Sequence, residues 1–277
     1  MRLVSFDAGG RPCAALLREG RVYDVGVPER VEERTLEAIL TGGLLDEVHP
    51  TEDDGVPVGD VTLLPPLTRP GKIICIGLNY RSHAEEQDEE PPATPTFFAK
   101  FANALAPPGA TVRLPEWTGK VDYEAEVAFV IGKRAKDVSE DDAVEHVAGY
   151  TLFNDLSARD YQFKTPQWMP GKVFDGSAPC GPALVTPDEV GPHDRIEIEL
   201  RLNGELMQKS STADLVHSVP ALVAYLSKLM TLEAGDVIST GTPAGVGSLR
   251  HPRVWLKHGD HIVISSPQLG VLETRIA

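Results

Sequence analysis

The residues of this chain best placed to do chemistry are carboxylates on a strand-like segment, Val121-Asp122-Tyr123-Glu124-Ala125-Glu126-Val127-Ala128-Phe129. Successive side chains of a strand point to opposite faces. Tyr123, Ala125, Val127 and Phe129 therefore face one way, and Asp122, Glu124 and Glu126 the other. The pattern fits a solvated face on a half-buried strand. It also fits a cation site, because neighbouring carboxylates repel each other and a cation relieves the repulsion. Asp155 ends a second apolar run, Leu152-Phe153-Asn154-Asp155-Leu156, where an Asp can cap a helix or add an oxygen ligand. Together, Glu124, Glu126 and Asp155 would make an all-oxygen site suited to Mg2+ or Mn2+ rather than Zn2+.

A second constellation is Gly77-Leu78-Asn79-Tyr80-Arg81-Ser82-His83-Ala84-Glu85-Glu86. His83 and Glu86, at i and i+3, share a face if the segment turns helical. A Glu that accepts from one imidazole nitrogen raises the basicity of the other, the arrangement of a general base. Otherwise His83 is an incidental member of a polar loop. The following Gln87-Asp88-Glu89-Glu90-Pro91-Pro92 is charged and proline-stopped, as mobile surface segments are. Gly241-Thr242-Pro243-Ala244-Gly245-Val246-Gly247 is glycine-rich but lacks the ending of a phosphate-binding loop, and no GxSxG, HExxH or strand-anchored GxGxxG occurs. Cys180 sits in a turn-like Pro-Cys-Gly-Pro setting without an obvious base, and Lys172 and Arg159 taken singly read as surface charges.

These residues need a strand-rich scaffold to hold them. Strand-length runs occur at residues 3–6, 14–17, 21–25, 72–76, 121–131, 236–240, 253–256, 261–265 and 270–276. Residues 196–202, Asn203-Gly204 and residues 205–208 carry the chain's strongest hairpin signal. Thr35 is placed to cap a helix over residues 36–40, and Ser139 another that begins with Glu140-Asp141-Asp142. Val219, Leu222, Val223, Leu226, Leu229 and Met230 recur at helical spacing. Glu52-Asp53-Asp54-Gly55 reads as a surface loop, and the prolines and glycine of residues 65–71 mark a boundary. The resulting expectation is a small N-terminal domain over 1–66 and a catalytic domain over 70–277, predominantly β in an α+β fold.

Composition narrows the function classes. Twenty-six basic against 41 acidic residues leave a net charge of −15, which argues against nucleic-acid or anionic-membrane partners. Three scattered cysteines, Cys13, Cys75 and Cys180, form no disulfide framework. The opening residues lack the apolar run of a signal peptide, and no stretch reaches about 18 apolar residues. A cytoplasmic protein is the expectation.

The order of motifs adds a resemblance. Ile76-Gly77-Leu78-Asn79-Tyr80 with His83 and Glu86, Phe97-Phe98-Ala99-Lys100, Asp122-Tyr123-Glu124-Ala125-Glu126, Asn154-Asp155-Leu156-Ser157-Ala158-Arg159-Asp160, Gln167-Trp168 through Gly171-Lys172, Asn203-Gly204 and the run from Gly235-Asp236 to Gly247 follow one another. This series resembles the fumarylacetoacetate hydrolase family over residues 70–277. Within it, the branch of acylpyruvate and fumarylpyruvate hydrolases, 2-hydroxyhepta-2,4-diene-1,7-dioate isomerases and related decarboxylases is the most similar. The chain departs from the usual pattern at Phe101 and Val173.

The resemblance implies a mixed β-sheet roll with a small N-terminal domain, in a homodimer. It also implies that Glu124, Glu126 and Asp155 hold Mg2+, with Mn2+ or Ca2+ as alternatives. His83 and Glu86 match the family's water-activating dyad, and Lys172 its charge-stabilising lysine. Arg159, Gln162 and Thr242 match positions that hold substrate oxygens. The function expected is metal-dependent hydrolytic carbon–carbon cleavage of a small 2-oxo or 2,4-dioxo acid of acylpyruvate type, in aromatic or amino-acid catabolism. The alternatives are isomerisation of a 2-hydroxyhepta-2,4-diene-1,7-dioate, decarboxylation of oxaloacetate, or an inactive binding homologue.

Overall fold

The computed structural model describes residues 1–26, 33–50 and 54–277. Strands dominate it, with short helices between them, in the mixed-sheet α+β arrangement the sequence predicts. The acidic run breaks after Val121–Asp122 and resumes as Ala125–Ile131, every residue of which is buried. Its odd positions Val127, Phe129 and Ile131 join one apolar cluster with Leu200, Leu226, Ile262 and Ile264. Its even positions Ala128 and Val130 join a second with Leu3, Leu16, Leu36, Ile39 and Phe153. The period-two pattern is present, but both faces are covered. The polar side is therefore not a solvated face, and Asp122, Glu124 and Glu126 are all buried.

This strand lies inside a large mixed sheet. From the His49–Pro50 edge the order runs through Arg21–Gly26, Pro12–Arg18, Arg2–Asp7, Ala178–Val185, Val147–Asn154, Ala125–Ile131, Val237–Ser239 and Ile73–Gly77 to Thr96–Lys100. Neighbours on this path are antiparallel except Val237–Ser239 and Ile73–Gly77, which run parallel. Residues before the proline-rich boundary join the rest through the pairs Arg2–Val185 and Leu3–Leu184. A five-stranded sheet contains Thr111–Val112, Gly270–Ile276, His261–Ser266, Glu197–Leu202 and Glu205–Ser211. It contributes Ile198, Leu200, Ile262, Ile264 and Leu272 to the first cluster.

Local chemistry explains several elements. Asn203 and Gly204 both take positive φ, as a two-residue hairpin turn requires, between Leu202 and Glu205. Thr35 accepts from the Ala38 amide and caps Leu36–Thr41; Ser218 accepts from the Ala221 amide and caps Val219–Leu229. The helix expected after Ser139 shrinks to a 3-10 turn, Ala143–His146. Ser139 bonds Asp142 instead, and only Ala143 of that turn is buried, so no apolar face holds a longer helix. Residues 253–256 are not a strand: Val254 donates to Gly247 and Leu256 to Val121, which commits them to a loop rather than a ladder. Of the acidic loop expected at 52–55, Glu52 and Asp53 lie outside the described residues, and Asp54 is exposed. Among the described residues no helix is long and apolar enough to cross a membrane.

One close approach positions the site. A Cβ on Gly171 would meet the Ala158 carbonyl oxygen at 2.4 Å and the Gln162 amide nitrogen at 2.5 Å. Only glycine lets the Met169–Gly171 turn lie against the helix Arg159–Gln162, and the next residue is Lys172. Gly171→Ala should therefore lower stability by about 1–3 kcal/mol in urea unfolding, the usual cost of forcing atoms into a packed contact. An unchanged midpoint would show that the turn relaxes freely.

Candidate active site

The strand ends and turns described above converge on a floor of buried charge. Glu124 lies in the break before Ala125–Ile131 and Glu126 lies on that strand. Asp155 follows Val147–Asn154, and its amide donates to the Glu124 carbonyl oxygen. One ligand atom from each of the three carboxylates lies within 4.8 Å of the others. Lys172 Nζ sits 2.6 Å from Glu124 Oε2 and 2.8 Å from Asp155 Oδ2. Lys100 Nζ lies 2.6 Å from Asp155 Oδ1. Arg159 Nη2 lies 2.6 Å from Glu124 Oε1 and 2.9 Å from Asp122 Oδ2. Glu126 Oε2 instead accepts from the Ser239 hydroxyl and, at 3.2 Å, from the Gly241 amide.

This arrangement divides the carboxylates. Burial alone would raise the Glu124 carboxyl, but Arg159 and Lys172 outweigh it and hold it down at about 2. Burial, then the Asp155 and Glu124 charges, push Glu126 well above the ordinary carboxylate range. Burial would lower the Lys172 ammonium, but Asp155 and Glu124 outweigh it and raise it. Four buried carboxylates, Asp122, Glu124, Glu126 and Asp155, thus face three buried cations, Lys100, Arg159 and Lys172. A converging set of hard oxygens, among which Glu126 is the one carboxyl with no cation partner, fits a divalent cation.

Above the floor, Arg81–Glu86 forms the helix that the His83–Glu86 spacing requires. Glu86 Oε2 lies 3.0 Å from His83 Nδ1. A carboxylate can only accept, so Nδ1 carries the proton and Nε2 of the neutral ring is the free base. Gln87 Nε2 lies 3.0 Å from His83 Nε2 and donates to it. The other Glu86 oxygen, Oε1, accepts from the Gly245 amide at 2.9 Å. Gly245 has φ +105, and a Cβ there would strike the Met207 carbonyl oxygen at 2.1 Å. The segment expected to be mobile is exposed at Asp88–Glu90 but anchored, because the Glu89 amide donates to Ala84 and Pro92 O accepts from His217 Nε2.

His83, Glu124, Glu126, Asp155, Arg159, Gln162, Lys172 and Thr242 line one cavity of about 450 Å³. Glu86 stands behind His83. Gln162 Oε1 accepts from Arg159 Nη1, whereas the Thr242 hydroxyl donates to Ala125 O and accepts from Gln208 Nε2. Cys180 is buried on its strand, away from this lining. Besides Gln87, three residues to which the sequence reading gave no site role contribute. Lys100 ends an exposed-to-buried strand and reaches Asp155. Asp122 accepts from the Tyr123, Gly247 and Ser248 amides as well as Arg159. Gln208 bonds both Thr242 and the Ala125 amide. The alternation of Asp122 with Glu124 was a usable signal; nothing local marks Gln208.

Known proteins share this architecture. The family model "Fumarylacetoacetate (FAA) hydrolase C-terminal" matches residues 72–277. Over 290 residues the chain is 41% identical to the mitochondrial oxaloacetate tautomerase fahd2 of Xenopus laevis, covering 100% of this chain and 90% of that protein. Two solved structures superimpose on essentially the whole chain. One is the fumarylacetoacetate hydrolase of Exiguobacterium antarcticum (35% identity, TM-score 0.86, 100% and 99% of the two chains). The other is a 2-hydroxyhepta-2,4-diene-1,7-dioate isomerase of Mycobacterium marinum (31% identity, TM-score 0.82, 100% and 98%). The mixed-sheet fold, the ordered motifs and these likenesses agree, and the chain belongs to the fumarylacetoacetate hydrolase family of enzymes.

Proposed function

We propose that the protein is a divalent-metal-dependent tautomerase of a small 2-oxo acid of the oxaloacetate type, with decarboxylation as a related activity. The observation that carries this is one cavity with a carboxylate-backed imidazole above a floor of carboxylates and a buried ammonium. The likeness to an oxaloacetate tautomerase over the full chain favours it over the hydrolytic reading drawn from the sequence. Glu124, Glu126 and Asp155 would hold the cation, Mg2+ by the hardness of the donors, which supplies Lewis acidity to the substrate carboxylate and 2-oxo oxygen.

The chain's own groups then have defined tasks. Gln87 gives up its place at His83 Nε2 to substrate, and Nε2 takes a proton from C3. Charge moves onto the 2-oxo oxygen, beside the Lys172 ammonium, which donates a hydrogen bond to it. Transfer of the proton from the imidazolium to that oxygen, directly or through water, completes the enol and restores the neutral base. Glu86 holds His83 in the tautomer that exposes Nε2 and stabilises the imidazolium that forms. Arg159 and Gln162, already bonded to each other, orient the substrate head, and Thr242 lines the same cavity. Hydrolysis of an acylpyruvate is a second reading, favoured by the likeness to the Exiguobacterium antarcticum hydrolase, in which His83 activates water instead. The half-exposed Phe97 and Phe101 at the edge strand Thr96–Lys100, and Trp117, support a homodimer. The free cysteines fit a reducing compartment.

Activity, stability and mass measurements test this. Enol–keto interconversion of oxaloacetate, followed by ultraviolet absorbance, should vanish on chelation and return with Mg2+ or Mn2+ better than with Zn2+. Glu126→Gln should leave the metal-free protein at least as stable as wild type and erase the Tm gain that metal gives. Full activity in rigorously metal-free protein would overturn the site. His83→Ala should lower kcat by about 10²–10⁴-fold with a smaller change in KM. Glu86→Ala should follow in the same direction, and the double variant should be little worse than His83→Ala. Loss of the metal-induced Tm gain in His83→Ala would make His83 a ligand instead. Light scattering at micromolar concentration should give about twice the 29.9 kDa chain mass, and a monomer would remove the dimer.

A further inference from the structure

Four basic side chains line the cavity: Lys120, Arg159, Lys172 and Arg253. Arg159 and Lys172 are committed to Asp122, Glu124 and Asp155. Lys120 and Arg253 are exposed, and neither side chain has a hydrogen bond or ion pair within the described residues. Both are fixed through their backbones on the same wall. The Lys120 carbonyl oxygen accepts from the Arg159 amide at 3.0 Å, and the adjacent Val121 carbonyl oxygen accepts from Leu256 at 2.9 Å. Val254, next to Arg253, is tied to Gly247 at 2.9 Å. Two uncommitted cations therefore stand over an acidic floor, in a chain of net charge −15. Among the described residues neither forms an ion pair with Asp160 or Glu89, the acidic residues elsewhere in the lining.

We propose that Lys120 and Arg253 bind the distal carboxylate of the substrate, so that the cavity selects 2-oxo dicarboxylates over 2-oxo acids with a neutral tail. This rests on the reading of the floor as the site for the substrate's 2-oxo acid head. With the head on the floor, the remainder of a short substrate projects toward the wall, where an anionic tail meets both cations and a neutral tail meets neither. Because the two side chains are solvated when empty, selectivity comes from attraction rather than from a penalty on the wrong substrate. It therefore appears in binding and KM, and salt screens it.

The test uses the Mg2+-loaded protein and two pairs of compounds. Malate and 2-hydroxybutanoate share a 2-hydroxy acid head and differ in a distal carboxylate against a methyl group. Oxaloacetate and acetylpyruvate share a 2-oxo acid head and differ in a distal carboxylate against an acetyl group. Calorimetry should show malate binding about tenfold more tightly than 2-hydroxybutanoate, with the preference shrinking in about 0.5 M NaCl. Lys120→Met and Arg253→Met, which keep the apolar stems, should each weaken malate and raise the oxaloacetate KM roughly three- to tenfold. The 2-hydroxybutanoate affinity and the acetylpyruvate KM should stay near wild type. Equal affinity for the two hydroxy acids in wild type, or equal weakening of both by the variants, overturns the proposal. Charge-dependent malate selectivity without oxaloacetate tautomerisation keeps this carboxylate site and removes the tautomerase reading. Tautomerisation without the selectivity does the reverse.

Discussion

A buried charge deficit governs this structure. Four carboxylates and three cations have been taken out of water at the end of a strand whose two faces both feed apolar clusters. Charges in such a place persist only when paired and hydrogen-bonded. Hence Lys100, Arg159 and Lys172 each contact at least one carboxylate, and Asp122 satisfies three backbone amides while orienting Arg159. Glu126 is the carboxylate left without a cation of its own, held by a hydroxyl and an amide. The floor is thus neutralised on one side only, and that asymmetry gives it an appetite for positive charge. The close approach at Gly171 serves the same end, because it seats Lys172 in this cluster, and the positive φ at Gly245 aims an amide at Glu86.

Much of this was legible in the residues, for physical reasons that can be named. Asn203-Gly204 admits few turns, and the apolar spacing of Val219–Leu229 behind Ser218 admits one helix face. The i, i+3 spacing of His83 and Glu86 needed only a helical turn to become a pair. The alternation from Asp122 to Phe129 was correct in phase but silent about coverage, since periodicity reports which residues share a face and not what lies over it. That coverage comes from strands distant in sequence, Val147–Asn154 and Val237–Ser239. Residues 253–256 have strand composition, yet their amides are claimed by Gly247 and Val121. Ser139 had a cap and acidic neighbours but no apolar stripe to bury. Gln87 and Gln208 were invisible because a glutamine acquires its meaning from partners that folding delivers.

The cavity shows a division between floor and upper lining. The floor is built from residues on or next to sheet strands, whose geometry is fixed by ladders and packing. The upper lining comes from turns and loops: the stretch before Val121, residues 163–168 and the segment around Arg253. Phe163, 66% exposed, and Trp168 give part of that wall an apolar character, while Lys120 and Arg253 give another part a cationic one. Loop substitutions can therefore change what the enzyme accepts while leaving the sheet, and the chemistry it supports, in place.

The two oxygens of Glu86 have different clients. One holds the His83 ring, and the other takes the amide of Gly245 from a loop that also touches Ser82. Lifting the Arg81–Glu86 helix from that loop would strip Glu86 of its amide partner and carry the imidazole away from the floor together with the carboxylate that orients it. The position of the helix and the orientation of its imidazole are therefore set by the same side chain. The helix is docked and the imidazole oriented by the two ends of one carboxylate, so no substitution at Glu86 can loosen one without disturbing the other.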